Sequence, residues 1–213
     1  MKRVILIVAV VVVCIVLSLI FALTRKREPY KNVPAIMQDA LTSAQCDRII
    51  ERAKEEGLDR STVLSDKKKV QSSRTSTNTF LPNDDPAVEP LIALVERKTG
   101  IPRSHYEDLQ VVHYEPGQEY KAHYDACFKC DEGGKDVLRT HTALVFLNDV
   151  EEGGNTAFPK IGLDVPPKKG TLITWRNMDG RRILDESLHA GTPVVRGEKW
   201  ACQVWIRNRP YRT

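Results

Sequence analysis

Glycine and proline are sparse, 12 of each among 213 residues, and there are only 5 cysteines. This excludes a collagen-like chain, a low-complexity segment and a small scaffold held together by disulfides, and leaves one ordinary domain as the expectation. No internal repeat is visible. A basic excess is also missing from most of the chain. The formal net charge of +4 is carried by Lys2, Arg3, Arg25, Lys26 and Arg27 against Glu28, so positions 29–213 are neutral by count. A neutral body lacks the basic face that general nucleic-acid binding needs, and no nucleic-acid partner is expected.

The one long apolar run lies between those charges. From position 4 to 23 every residue except Ser18 is apolar. As a helix rising ~1.5 Å per residue it would reach about 30 Å, the thickness of a bilayer's hydrocarbon core. Residues 1–28 therefore read as a single-pass membrane anchor with basic flanks. A cleaved signal peptide is the alternative, but its apolar part usually runs ~7–15 residues, and Phe21-Ala22-Leu23-Thr24-Arg25 offers no small-x-small cleavage site. Basic residues on both sides leave the orientation undetermined by charge.

Behind a short linker, Thr42-Ser43-Ala44-Gln45 fits a capping box. Cys46, Ile49, Ile50 and Ala53 then repeat at helical spacing, and Gly57 is placed to end the helix in a left-handed turn. A second helix is expected from Asp85-Pro86, with Val88, Leu91, Ile92 and Val95 on one face and Gly100 beyond. From position 109 the pattern changes to short β-rich runs at 109–114, 140–147, 171–175 and 200–207, separated by Gly- and Pro-containing turns. Such spacing implies a barrel or a two-sheet jelly roll with room inside for a small ligand. The expected fold is mainly β with flanking helices, a helical support region over 29–108 preceding a jelly-roll core over 109–208.

His123-Tyr124-Asp125 introduces chemistry. On an extended strand the first and third residues share a face, so an imidazole and a carboxylate could chelate one ion. A second histidine, His189 in Ser187-Leu188-His189-Ala190-Gly191, could complete a two-histidine, one-carboxylate facial triad. That triad leaves open positions on Fe(II), as an oxygenase requires. Lys199 lies at the entry to the last apolar strand. Pointing inward, its ammonium would call for an anion such as a dicarboxylate cosubstrate; pointing outward, it would be an ordinary strand-end lysine.

In order along the chain, Arg74-Thr75-Ser76, the 109–118 run ending Tyr114-Glu115-Pro116-Gly117-Gln118, His123-Tyr124-Asp125, Gly153-Gly154-Asn155-Thr156-Ala157-Phe158-Pro159, Ser187-Leu188-His189-Ala190-Gly191 and Gly197-Glu198-Lys199-Trp200 resemble the blocks of prolyl 4-hydroxylase catalytic domains. The resemblance covers about 33–207. It implies an Fe(II)- and 2-oxoglutarate-dependent dioxygenase on a double-stranded β-helix, using O2 and L-ascorbate. The implied reaction hydroxylates a peptidyl proline while 2-oxoglutarate is decarboxylated to succinate and CO2. His123, Asp125 and His189 are then the implied iron ligands and Lys199 the partner of the 2-oxoglutarate distal carboxylate, assisted by Tyr114. Thr156 and Trp205 match positions lining the cosubstrate pocket, and Arg139 a position near the peptide substrate. Turn capping for Thr156, core packing for Trp205 and a solvated charge for Arg139 are the plain alternatives. A signal anchor holding the domain in the lumen of the endoplasmic reticulum, in type II orientation, is also common in this family. The stretch before Arg74 is short for the peptide-binding and assembly regions of collagen-type enzymes, so a monomer or simple oligomer is expected.

Two departures bear on substrate choice. After the metal Asp the family usually carries an aromatic pair, whereas this chain reads Ala126-Cys127-Phe128-Lys129-Cys130, and Arg207 stands where some relatives have His. Cys46, Cys127, Cys130 and Cys202 permit three pairings in an oxidising lumen, and a Cys127–Cys130 bridge or free thiols fit better than zinc, for which no second C-x-x-C exists. Hydroxylation of another side chain or a small molecule, and a non-catalytic membrane-anchored metal or thiol module, are the competing functions.

Overall fold

The capping box forms as written. In helix α1 (Ser43–Glu56), Thr42 Oγ1 accepts from the Gln45 N–H at 3.3 Å and Gln45 Oε1 accepts from the Thr42 N–H at 2.9 Å. The helix turns Cys46, Ile49 and Ala53 into the core and ends at Gly57. There φ is 90° and ψ 150°, a glycine-only conformation rather than the expected left-handed helical one. Helix α2 (Glu89–Thr99) starts later than Asp85-Pro86 suggested. Asp85 Oδ1 accepts from the Ala87 N–H at 2.8 Å and closes a separate turn, so the first helical turn takes Pro90 instead. Gly100 ends α2 in the left-handed region at φ 67°.

The computed structural model describes residues 33–61, 73–126 and 137–211. The apolar run expected to form the anchor and the Cys127/Cys130 pair lie outside the described residues. In chain order the strands are β1 (Ala35–Met37), β2 (Asp59–Arg60), β3 (Thr77–Leu81), β4 (Leu109–Tyr114), β5 (Tyr120–His123), β6 (Arg139–Phe146), β7 (Glu152–Gly153) and β8 (Thr156–Phe158). They continue with β9 (Leu163–Val165), β10 (Leu172–Arg176), β11 (Met178–Asp179), β12 (Arg182–Ile183), β13 (His189–Gly191), β14 (Val194–Arg196) and β15 (Lys199–Arg207). The four runs read from the sequence are β4, β6, β10 and β15, each within a residue of its expected start.

All pairings are antiparallel. A seven-stranded sheet runs β1-β10-β6-β15-β4-β3-β2, and a four-stranded sheet runs β5-β13-β8-β9. β15 shows how the layers divide, because alternate residues of a strand face opposite ways. Trp200, Cys202, Val204 and Ile206 join the cluster built on α1 and α2, while Ala201 joins a second cluster with Leu144, Phe146, Ile173 and, from the smaller sheet, Phe158 and Val165. The second cluster lies between the sheets, as a jelly roll requires, and the first packs the helices on the outside. Cys46 and Cys202 are free thiols buried in the outer cluster.

The segment before position 109 is less helical than its support role suggested, since it adds β1, β2 and β3 to the large sheet. β3 is spelled Thr-Asn-Thr-Phe-Leu. Polar Asn78 and Thr79 are buried on its opposite faces and Phe80 is exposed, so the apolar alternation that would announce a strand is missing.

Candidate metal and cosubstrate site

β5 ends at His123 and β13 begins at His189, and these two residues stand opposite each other in the antiparallel register. Asp125 lies two residues past the end of β5, in irregular backbone, so strand alternation alone does not aim it. Thr142, from the inner face of β6, does so by donating its hydroxyl to Asp125 Oδ2 at 2.7 Å. One ligand atom from each of His123, Asp125 and His189 then lies within 4.8 Å of the others. The closest approaches are 3.6 Å from His123 Nε2 to Asp125 Oδ1 and 3.6 Å from His189 Nε2 to Asp125 Oδ2.

The ring tautomers follow from the opposite edges. His123 Nδ1 lies 2.8 Å from the Lys121 carbonyl and His189 Nδ1 lies 2.9 Å from the Ser187 carbonyl. A carbonyl only accepts, so each neutral ring carries its hydrogen on Nδ1 and presents the Nε2 lone pair to the centre. Burial pushes the His189 imidazolium down to about 4 despite the neighbouring Asp125 carboxylate. Burial alone would raise the Asp125 carboxyl, but His189, His123 and the Thr142 hydroxyl outweigh it and hold the group well below the usual carboxylate range. Neutral imidazole and ionised carboxylate are the forms that bind a divalent cation. Tyr120 stacks on the His123 ring at 3.6 Å between centroids, and Trp175 meets the His189 ring edge-on at 4.8 Å.

Beside these three residues is a small recess of about 20 Å³, lined in part by Tyr114, Leu144, Thr156, Lys199 and Gln203. Lys199 is 3% exposed, faces Tyr114 across the β15–β4 pairing, and carries its ammonium 5.2 Å from the Phe146 ring. Among the described residues no carboxylate lies within ion-pair reach of it. Burial lowers its amine to about 7. The strand-end lysine in solvent is therefore excluded, and the structure presents a buried ammonium beside three metal donors. Burial likewise raises the Tyr114 phenol, with Arg74 and Ser76 opposing. Thr156 lines the recess from β8, where turn capping is not its role.

Arg139 on β6 and Trp205 on β15 meet each other in the large sheet. Trp205 is not among the residues lining the recess; it is buried further along β15, with the Arg139 guanidinium stacked 3.8 Å above its ring. Arg139 is no solvated charge, because Glu107 accepts from its Nε at 2.8 Å and its Nη2 at 2.7 Å. Glu107 also accepts from Arg207 Nε at 2.7 Å, so one buried carboxylate joins two guanidiniums. The sequence reading missed Glu107, Tyr120, Thr142 and Gln203. None carries a local signal, and Glu107 is 32 and 100 residues from its two partners.

Residues 109–207 match the 2OG-Fe(II) oxygenase superfamily. The chain is 36% identical over 205 residues to probable prolyl 4-hydroxylase 10 of Arabidopsis thaliana, an alignment covering 84% of this chain and 70% of that protein. It is 32% identical over 194 residues to a putative prolyl 4-hydroxylase of Acanthamoeba polyphaga mimivirus, covering 86% and 77%. The chain belongs to the prolyl 4-hydroxylase family of 2OG-Fe(II) oxygenases. The viral collagen prolyl hydroxylase of Paramecium bursaria Chlorella virus-1, solved as its 2OG complex, superposes on this prolyl 4-hydroxylase homologue with a TM-score of 0.68 at 32% identity, covering 82% of this chain and 95% of that one. Enzymes of the superfamily use Fe(II), 2-oxoglutarate and O2, and ascorbate is typical of its prolyl hydroxylases. The residues present fit that set: two imidazole nitrogens and a carboxylate for the metal, and, for a dicarboxylate, a buried ammonium with no counter-anion among the described residues.

Proposed function

We propose that the protein is a membrane-anchored prolyl 4-hydroxylase that converts peptidyl proline to 4-hydroxyproline while 2-oxoglutarate is decarboxylated to succinate and CO2. The observation that carries this reading is the convergence of His123, Asp125 and His189 beside the buried Lys199. His123 and His189 through Nε2 and Asp125 through its carboxylate would hold Fe(II). When bound, the iron supplies open coordination positions at which the cosubstrate and dioxygen are activated.

The remaining work belongs to the chain itself. Lys199 neutralises the distal carboxylate of 2-oxoglutarate, with Tyr114 and Thr156 beside it in the recess wall. Phe158 and Trp175 pack around His189 and keep water from its buried ring. The Glu107-tied guanidiniums of Arg139 and Arg207, with Trp205 beneath Arg139, form a rigid wall near the peptide. Peptidyl proline is the substrate class suggested by the prolyl hydroxylase names of the relatives. Anchoring through residues 4–23, in type II orientation with the catalytic domain in the lumen of the endoplasmic reticulum, is proposed on the length of the apolar run.

The test is turnover of the full chain in detergent with Fe(II), 2-oxoglutarate, ascorbate and proline-rich peptides. A peptide gaining one oxygen, with succinate released in equal amount and both lost in His123→Ala, is the expected result. Metal-loaded protein that yields no succinate with any such peptide overturns the proposal.

A further inference from the structure

Asn177 follows β10 and is fully buried, as is Thr142. Asn177 Nδ2 donates to Thr142 Oγ1 at 2.9 Å, and Thr142 Oγ1 donates to Asp125 Oδ2 at 2.7 Å. Chemistry sets the direction of this chain. An amide nitrogen donates only and a carboxylate accepts only, so with Asn177 in place the hydroxyl hydrogen has to point at Asp125. That bond engages Oδ2 and leaves Oδ1 with all its lone pairs.

The main chain fixes Asn177 in turn. Its N–H donates to the Thr140 carbonyl at 2.7 Å, on the strand that carries Thr142, and its carbonyl accepts from the Leu184 N–H at 3.0 Å. Ser187 is tied to the Leu184 carbonyl through its N–H at 2.9 Å and its hydroxyl at 2.7 Å, and the Ser187 carbonyl holds His189 Nδ1 at 2.9 Å. Asn177 is thus bonded to the strand behind Asp125 and to the turn before His189. Its Oδ1 is buried with no partner among the described residues. A side chain present for packing alone would be better apolar there, because a desolvated, unpaired oxygen costs stability.

We propose that Asn177 is a positioning residue of the metal site, orienting Asp125 through Thr142. The proposal rests on His123, Asp125 and His189 being the metal ligands. It is tested with Co(II), whose visible absorption reports coordination geometry, bound to the full chain.

Thr142→Val is expected to weaken Co(II) binding roughly 10–100-fold and to alter the spectrum, and Thr142→Ser to restore both. Asn177→Leu should weaken binding by a smaller factor, and the double variant Thr142→Val with Asn177→Leu should bind no more weakly than Thr142→Val alone. Should Asn177→Leu not fold, Asn177→Ser, too short to reach Thr142, takes its place. A merely structural role would lower the melting temperature of the metal-free protein and leave the Co(II) spectrum of the folded variants as in the parent. Parental affinity and spectrum in Thr142→Val and Asn177→Leu, or losses that add in full, overturn the inference. Loss of binding in His123→Ala alongside that result leaves the metal reading standing; unchanged binding in His123→Ala removes the metal reading itself.

Discussion

At the residue scale, Lys199 is the side chain whose cost is best explained by what it binds. Its amine, lowered by burial from 10.5 to about 7, titrates in the folded chain near neutrality. The folded state therefore holds fewer protons than the unfolded one between about pH 7 and pH 10.5. The destabilisation from charging this group is present in full below pH 7 and is relieved as pH rises through that window. Lys199→Met should raise ligand-free stability at pH 6 by about 1–3 kcal/mol in urea unfolding, because a buried unpaired charge is replaced by an apolar chain. The same variant should require at least tenfold more 2-oxoglutarate with Fe(II) binding nearly unchanged. In the parent protein, 2-oxoglutarate binding at pH 8 should take up about one proton, so its affinity should fall as pH rises above 7. Calorimetric titration in buffers of different ionisation enthalpy checks this, and pH-independent binding without proton uptake would remove Lys199 from its proposed role.

At the element scale, the short β7–β14 pairing shows how little sequence a structural device needs. Gly153 has φ 78°, and a Cβ placed there would overlap the Pro193 carbonyl oxygen, an atom of the paired backbone that has no rotamer to give way. Gly153→Ala should cost about 2 kcal/mol, or roughly 4–8 °C in Tm, with a matching loss of 2-oxoglutarate affinity because Thr156 follows three residues later. Gly162→Ala, also at positive φ but with nothing within 4 Å of the added Cβ, should cost about half as much and leave the cosubstrate alone. Thermal melts and cosubstrate titrations of the two variants separate conformational strain from steric overlap. The sequence does not show 152–153 as half of a strand pair, since a two-residue strand has no periodicity to read. The start of α2 was misplaced for a related reason: Asp85-Pro86 satisfies both a helix start and a turn, and only the Asp85 bond to the Ala87 N–H distinguishes them.

At the scale of the whole molecule, the proposed anchor makes a prediction independent of catalysis. The full chain should sediment with membranes and resist alkaline carbonate, whereas a chain beginning at position 33 should stay in the supernatant. A mature protein lacking its first ~25 residues by N-terminal sequencing would replace the anchor with a cleaved signal. For the described domain, the sequence alone determined whatever local periodicity and chemistry encode: the α1 cap, the core-facing stripe of α1, the order of the histidine, carboxylate and lysine blocks. Tertiary structure alone decided that His123, Asp125 and His189 share one centre, that Lys199 is buried with no carboxylate beside it among the described residues, and that Glu107 joins Arg139 to Arg207. A strand's pattern states which way each side chain faces, but strand pairing is a contact between distant segments. Which donors meet is therefore set by how the sheets close, a global balance of buried surface and hydrogen bonds that no window of sequence contains.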